Sequence, residues 1–215
     1  MTRAGLVAIV LTLAIAIVAA WRWNAPQDFT LGKITYRIPA SFTVSGGRGG
    51  TGELNTLGIR ALLPDMTART WLTANCFNGK NVDCRFDVVT IGITRGAILP
   101  AERRLQNIQQ YLAENDRKMN HCGLEYLSDK SPTERTKQGF NYFLKKFGDA
   151  ELSIVRCGKE DALNSPFCSG RETLKDGNSF YYVFHGSKIC EWQTIREKVL
   201  MLIDSFRNNS PPASR

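Results

Sequence analysis

The chain has 215 residues, with 28 basic and 20 acidic side chains, a formal net charge of +8 and six cysteines. About 190 residues follow the first apolar segment, which is enough for one domain with its own core. The positive charge is compatible with nucleic acid, anionic lipid headgroups, an acidic protein or no specific partner, and the disulfides and anchor predicted below argue against nucleic acid.

The amino terminus carries a continuous apolar run. Residues 4–20 are all apolar, glycine or threonine, and Trp21-Arg22-Trp23 follows them. As a helix this run spans roughly 25 Å, the short end of what crosses a bilayer core, and the aromatic-basic boundary extends it. We predict an uncleaved transmembrane anchor over 4–23, after a cytoplasmic tip of residues 1–3. A secretory signal cleaved before Trp21 is the alternative, because small residues precede that position.

The cysteines all lie beyond the apolar run, at Cys76, Cys84, Cys122, Cys157, Cys168 and Cys190. No Cys-x-x-Cys motif is present, and His121 and His185 lack the spacing of a ligand pair, so no metal site is predicted. An even number of cysteines on the exported side of a membrane predicts three disulfides in an oxidising compartment.

Local sequence favours two of the disulfide pairings. Cys76 and Cys84 bracket the turn signal Asn78-Gly79, and Cys157 and Cys168 bracket a polar excursion. If both short loops are closed, Cys122 and Cys190 remain to pair with each other; other connectivities stay open. That last bond would close a loop of roughly 70 residues and stabilise the fold by roughly 4 kcal/mol.

Hydrophobic alternation predicts a strand-rich domain over 29–207, after a short stalk at 24–28. Extended segments are predicted at 29–38 (a hairpin or bulged strand), 42–44, 58–63, 86–94, 124–127, 140–147, 151–157, 171–174 and 179–184. Asp176-Gly177 between the last two is a hairpin signal. The glycine-rich segment 45–52 is interpreted as a flexible connection, because no Gly-Lys-Ser/Thr follows it as a phosphate-binding loop would require.

Two helices complete the prediction. Apolar stripes at helical spacing indicate one helix from Pro100 to near Asn115 and another over 191–207. Strands that follow one another with short turns form an antiparallel sheet, and we expect both helices to cover one of its faces. The predicted class is therefore α+β: a two-layer antiparallel sheet with two covering helices, behind an N-terminal transmembrane helix. Residues 208–215 are predicted to be a disordered tail.

No catalytic residue, metal ligand or cofactor is predicted. His185 follows a strand and is expected to face solvent at a loop, and His121 lies beside a presumed disulfide. No Gly-x-Ser-x-Gly elbow occurs, and Cys–His catalysis would need a free cysteine.

Other polar and aromatic groups have ordinary interpretations. The acidic pairs Glu160-Asp161 and Asp149/Glu151 lie in turn contexts and are interpreted as solvated turn residues. Tyr181, Tyr182 and Phe184 are expected to divide between the core and one sheet face. An exposed aromatic face there would be a candidate protein contact, although the partner-binding residues are not identified by the sequence.

Three segments carry a resemblance to a known class of proteins. They are YRIPASF (Tyr36 to Phe42), LLPDM (Leu62 to Met66) and FHGSKICEWQTIREKVLMLIDSF (Phe184 to Phe206). Together with the N-terminal anchor, they resemble small membrane-anchored envelope proteins of Gram-negative bacteria, some of which are immunity proteins for type VI secretion effectors. These motifs are packing signatures, so the resemblance assigns no functional residue.

The resemblance implies a single-pass inner-membrane protein with its C-terminal domain in the periplasm. The expected function is non-enzymatic: binding and neutralising a secreted antibacterial toxin. Two alternatives stay open, namely a structural or assembly component of the envelope and an exported enzyme without a recognisable motif.

Overall fold

The computed structural model describes residues 25–48, 54–81, 83–109, 112–120, 122–129, 140–147, 151–158 and 167–208. The predicted anchor at 4–23 lies outside these residues, as do the tip at 1–3 and the tail from 209 onward. Within the described ranges, no helix is both long enough and apolar enough to span a membrane.

The secondary structure is dominated by strands. The strands are β1 Gln27–Leu31, β2 Ile34–Ile38, β3 Val44–Arg48, β4 Leu54–Leu62, β5 Val88–Thr94, β6 Leu112–Met119, β7 Glu125–Asp129, β8 Phe140–Phe147, β9 Glu151–Gly158, β10 Phe167–Thr173 and β11 Ser179–His185. The helices are α1 Ala74–Phe77, α2 Ala101–Gln109 and α3 Trp192–Asn208, with 3-10 turns at Arg85–Asp87 and Gly186–Glu191.

Among the described residues, nine strands form one sheet, hereafter the main sheet, in the order β3-β4-β5-β11-β10-β9-β8-β7-β6. All neighbouring pairs are antiparallel. β1 and β2 form a separate hairpin that turns at Gly32, whose φ of +63° suits a residue without a side chain. The antiparallel α+β architecture and this first hairpin agree with the sequence-based prediction.

One face of the main sheet, hereafter the core face, packs against α3. A cross-strand row of Ile59, Ile91, Tyr182, Val155 and Phe143 is buried on this face. The helix contributes an apolar stripe at three- and four-residue steps, as its sequence predicts: Trp192, Ile195, Val199, Ile203 and Phe206. The β1–β2 hairpin closes this core with fully buried side chains of its own, Leu31, Tyr36 and Ile38.

The opposite face, hereafter the groove face, carries α2. Ala101, Leu105 and Ile108 of α2 pack against Leu144 and Ile154. Ile154 and Leu144 directly adjoin Val155 and Phe143 in their strands, and successive strand residues point to opposite faces. The prediction that two helices cover one face is therefore wrong: α3 packs on the core face and α2 on the groove face, and α2 is too short to cover its face.

Two element boundaries also differ from the prediction. The helix from Pro100 ends at Gln109 instead of near Asn115, and Leu112–Met119 forms the edge strand β6 paired with β7. Val44–Arg48 is a strand where a flexible connection was predicted, because Gly46 and its neighbours find a partner in β4. In both places pairing with the next strand along the chain overrides the local signal.

All six cysteines lie within the described residues and form the pairs Cys76–Cys84, Cys157–Cys168 and Cys122–Cys190. The first two are the pairs that local sequence favours, and the third joins the two cysteines that remain. The Cα atoms of Cys157 and Cys168 are only 4.0 Å apart, because the two residues face each other across β9 and β10. The Cys122–Cys190 bond joins the loop after β6 to the turn before α3, across a sequence separation of 68.

Candidate functional site

The groove face carries an open groove beside α2, with a volume of about 830 Å³. It lies where the cover that α2 gives to β7, β8 and β9 ends, and residues of the neighbouring strands β10, β11, β5 and β4 also line it. The groove is the space between the side of α2 and the surface of these strands. Several polar side chains line the groove. Arg104 and Asn107 lie on α2, Arg156 on β9, Arg171 on β10, Tyr181 on β11 and Thr94 on β5.

The spacing of α2 residues places two of these side chains. Leu105 and Ile108 face the sheet, so Arg104 and Asn107 project from the helix flank towards the groove. Arg104 is half-buried at this boundary, and its Nε atom is buried without a hydrogen-bond partner within the described residues.

Alternation along β11 divides its aromatic residues, as the sequence predicts. Tyr182 and Phe184 are fully buried in the core, whereas Tyr181 lies in the groove and is partly exposed. A Cβ on Gly92, the β5 residue paired with Tyr181, would overlap the tyrosine ring. The glycine therefore lets the Tyr181 ring lie flat over the neighbouring strand and form the groove floor.

The charge in the groove is entirely positive among the residues that line it. Arg104, Arg156 and Arg171 contribute guanidinium groups, and no aspartate or glutamate is among the lining residues that the structure describes. The Arg156 guanidinium lies 4.6 Å from the centre of the Phe140 ring. Burial lowers the pKa of Arg104; the attraction of Glu172 opposes this shift, and the positive charge of Arg171 adds to it.

A second polar cluster lies on the core face, where its buried side chains form hydrogen bonds with one another. Arg196 donates from Nε and Nη2 to the two carboxylate oxygens of Glu172, at 2.9 and 2.6 Å to Oε2, and Ser153 Oγ donates to Oε1 at 2.6 Å. Nearby, Trp192 Nε1 donates to the Tyr182 hydroxyl at 2.6 Å, and burial raises the pKa of Tyr182. This cluster joins β9, β10 and α3, and its packing indicates a structural role.

His185 is a structural residue, and the expectation that it faces solvent is wrong. It is only 8% exposed, and its ring lies 3.9 Å from that of Phe86, measured between ring centres. The Ser187 backbone N–H donates to His185 Nδ1 at 3.2 Å, which caps the following 3-10 turn. Burial lowers the pKa of His185, and the positive charges of Arg85 and Lys188 lower it further.

Most of the remaining candidates from the sequence lie outside the part of the chain that the structure describes. His121, Asp149 and Glu160-Asp161 lie outside the described residues, as does the side chain of Glu151. Every cysteine is in a disulfide, so none is free to act as a nucleophile or thiolate ligand. In the part of the chain that the structure describes, no group of three His, Cys, Asp or Glu side chains could hold a metal ion.

The three groove arginines were not identified from the sequence. Period-two alternation does place Arg156 opposite the buried Val155, and Arg171 opposite Gly170 and Glu172, on the groove face. That alternation could have predicted that Arg156 and Arg171 lie on the same face of the sheet. It could not have brought Arg104 to them, because the position of α2 on that face is not contained in the strand pattern.

No protein-family model matches this chain, and no curated protein matches it. Two solved structures do. Smlt3025, an immunity protein of the Stenotrophomonas maltophilia type IV secretion system, aligns with a TM-score of 0.60 and 15% identity, over 86% of this chain and 94% of that one. The chain shares the fold of a secretion-system immunity protein.

The second structure is the iron-regulated outer membrane lipoprotein FrpD of Neisseria meningitidis. It aligns with a TM-score of 0.54 and 14% identity, over 87% of this chain and 94% of that one. At these identities the likeness is one of fold. The secretion system named with the first structure is type IV, so neither neighbour supports the type VI association of the sequence-based resemblance.

Proposed function

We propose that this chain is an immunity protein that binds and neutralises a secreted antibacterial toxin. The observation that carries the proposal is the fold shared with an immunity protein over nearly the whole length of both chains. The groove adds a physical reason, because arginine and tyrosine side chains on an open surface are enriched where proteins bind one another.

We also propose that the domain works in the periplasm, held at the inner membrane by residues 4–23. Three disulfides favour an oxidising compartment, and the apolar run supplies a route of export. Sequencing the amino terminus of the mature protein tests the anchor: a terminus at Met1 or Thr2 is expected, whereas one at Trp21 would identify a cleaved signal.

The proposed function is tested by co-expression. The toxin encoded beside this gene in the native host is exported to the periplasm of a sensitive bacterium, with and without this chain. We expect growth to be restored by the exported chain and not by the same chain lacking residues 1–23. Failure of the exported chain to protect, together with no complex with that toxin in size-exclusion chromatography, would refute the proposal.

An envelope component is the second candidate function. The likeness to an outer membrane lipoprotein favours it. In that case the chain should co-purify with other envelope proteins from detergent-solubilised membranes of a strain that lacks the toxin gene. An immunity protein has no such requirement, and should be recovered without those proteins.

A further inference from the structure

We propose that the groove beside α2 binds an acidic segment of the partner protein, whose carboxylates are received by Arg104, Arg156 and Arg171. This inference deepens the proposed function and rests on it, since it assigns the partner-binding surface and the chemistry of the segment that binds there.

The first argument is a contrast with two arginines of α3 that are paired with carboxylates. Arg196 is paired with Glu172, and Arg207 with Asp176 and Asp204. In contrast, neither Arg104 nor Arg171 makes an ion pair within the described residues, and no carboxylate lines their groove. Guanidinium groups brought together in this way repel one another, so a ligand that supplies negative charge is favoured over water alone.

The second argument is that the guanidinium groups are held in place before any ligand arrives. Arg104 is half-buried on the flank of α2, and the Arg156 guanidinium lies over the Phe140 ring. Side chains that are already ordered lose less entropy on binding, and the planar fork of arginine matches a carboxylate in two parallel hydrogen bonds.

The third argument is the shape and composition of the groove. Its floor is formed by paired strands, whose backbone N–H groups are used in the sheet, so the donors that it offers are on side chains. Tyr181 and Tyr142 add flat aromatic surface between the charges, which suits the aliphatic stems of glutamate side chains. An open groove of about 830 Å³ accommodates several residues of an extended segment.

The inference is tested by fluorescence anisotropy with a labelled peptide of alternating glutamate and serine. Its glutamine–serine counterpart, inorganic phosphate and single-stranded DNA are the comparison ligands. We expect the glutamate peptide to bind at least tenfold more tightly than the glutamine peptide, and the double variant R104Q/R171Q to bind it about tenfold or more weakly than wild type.

The matched control is Arg103→Gln. Arg103 adjoins Arg104 on α2 but is exposed and does not line the groove, so the loss of its single charge should leave peptide affinity within about twofold of wild type. Circular dichroism and thermal unfolding establish that each variant is folded. The inference is overturned if R104Q/R171Q binds like wild type, if R103Q loses as much affinity, or if the glutamate peptide does not bind.

Single-stranded DNA or phosphate that binds more tightly than the glutamate peptide, with the same dependence on the two arginines, would also overturn it. The toxin-protection assay separates this inference from the proposed function. If wild type protects and R104Q/R171Q protects equally, the groove assignment fails and the immunity function stands. If wild type neither protects nor forms a complex with the toxin, the immunity function fails, and the peptide measurement still decides the chemistry of the groove.

Discussion

The two faces of the main sheet are made by the same strands and treat arginine in opposite ways. On the core face, the Arg196 guanidinium hydrogen-bonds the buried Glu172 carboxylate. On the groove face, Arg104 and Arg171 stand beside one another without a carboxylate among the described lining residues. Charge that is paired internally contributes to folding, whereas charge left unpaired at a surface is free to contribute to binding. The comparison therefore distinguishes Arg196, which is expected to stabilise the fold, from Arg104 and Arg171, which are proposed to bind a partner.

The largest expected effect comes from breaking the pair on the core face. Arg196→Met leaves the buried Glu172 carboxylate without its counter-charge, so the free energy of unfolding should fall by about 3–5 kcal/mol in chemical denaturation. The double variant Glu172→Leu/Arg196→Met removes both charges and should recover most of that loss. A single variant that loses less than about 1 kcal/mol would show that the pair does not stabilise this face.

A second substitution tests the packing of the groove floor. Gly92→Ala places a methyl group where the Tyr181 ring lies, and such overpacking should lower the free energy of unfolding by about 1–3 kcal/mol. Tyr181→Ala removes the obstacle, so Gly92→Ala should cost much less in that background; the double-mutant cycle measures the coupling. Equal costs in both backgrounds would mean that the ring does not rest on the glycine.

The pH dependence of stability tests whether His185, at the end of β11, is buried and neutral in the folded protein. The folded-state pKa of His185 lies below its ordinary value of 6.5, because burial and nearby positive charge disfavour the imidazolium. The unfolded chain therefore binds more protons at acidic pH, and the contribution of His185 to stability is complete above pH 6.5 and declines as the pH falls below that value. His185→Asn keeps a capping acceptor and should lose less stability than wild type on acidification, measured by denaturation at several pH values. Parallel pH profiles for the two proteins would contradict the buried, neutral histidine.

The smallest expected effect belongs to the groove arginine Arg171. Since its guanidinium makes no internal ion pair among the described residues, Arg171→Gln should change the free energy of unfolding by less than about 0.5 kcal/mol. Thermal and chemical denaturation against wild type measure this directly. A loss as large as that of Arg196→Met would erase the distinction between the two faces.

Several parts of the fold could be predicted because local and tertiary signals agree. Asp176-Gly177 lies between two extended segments and does form the β10–β11 hairpin. The stripe from Trp192 to Phe206 follows the helical period and does pack on the sheet. In these places the local turn or helix pattern also satisfies the tertiary packing.

The errors occur where strand pairing or tertiary packing overrides the local signal. Leu112 continues the apolar spacing of α2, yet it belongs to β6, whose mostly polar sequence becomes a strand only through pairing with β7. Which face a helix covers is likewise a tertiary property, so the sequence could not place α2 opposite α3. The groove was missed for the same reason, since it lies between the side of α2 and the surface of the neighbouring strands.

The Cys122–Cys190 bond closes a covalent ring that contains β7 to β11, while β3, β4 and β5 lie outside it at one edge of the main sheet and β6 at the other. The contact between β5 and β11 is thus a seam between the strands inside the ring and the three strands β3 to β5, which pair with them non-covalently. The groove crosses that seam, with Arg171 and Tyr181 inside the ring and Thr94 outside it. A segment bound across the groove therefore favours the closed seam by mass action, so that occupancy by a partner also resists separation of the two groups of strands.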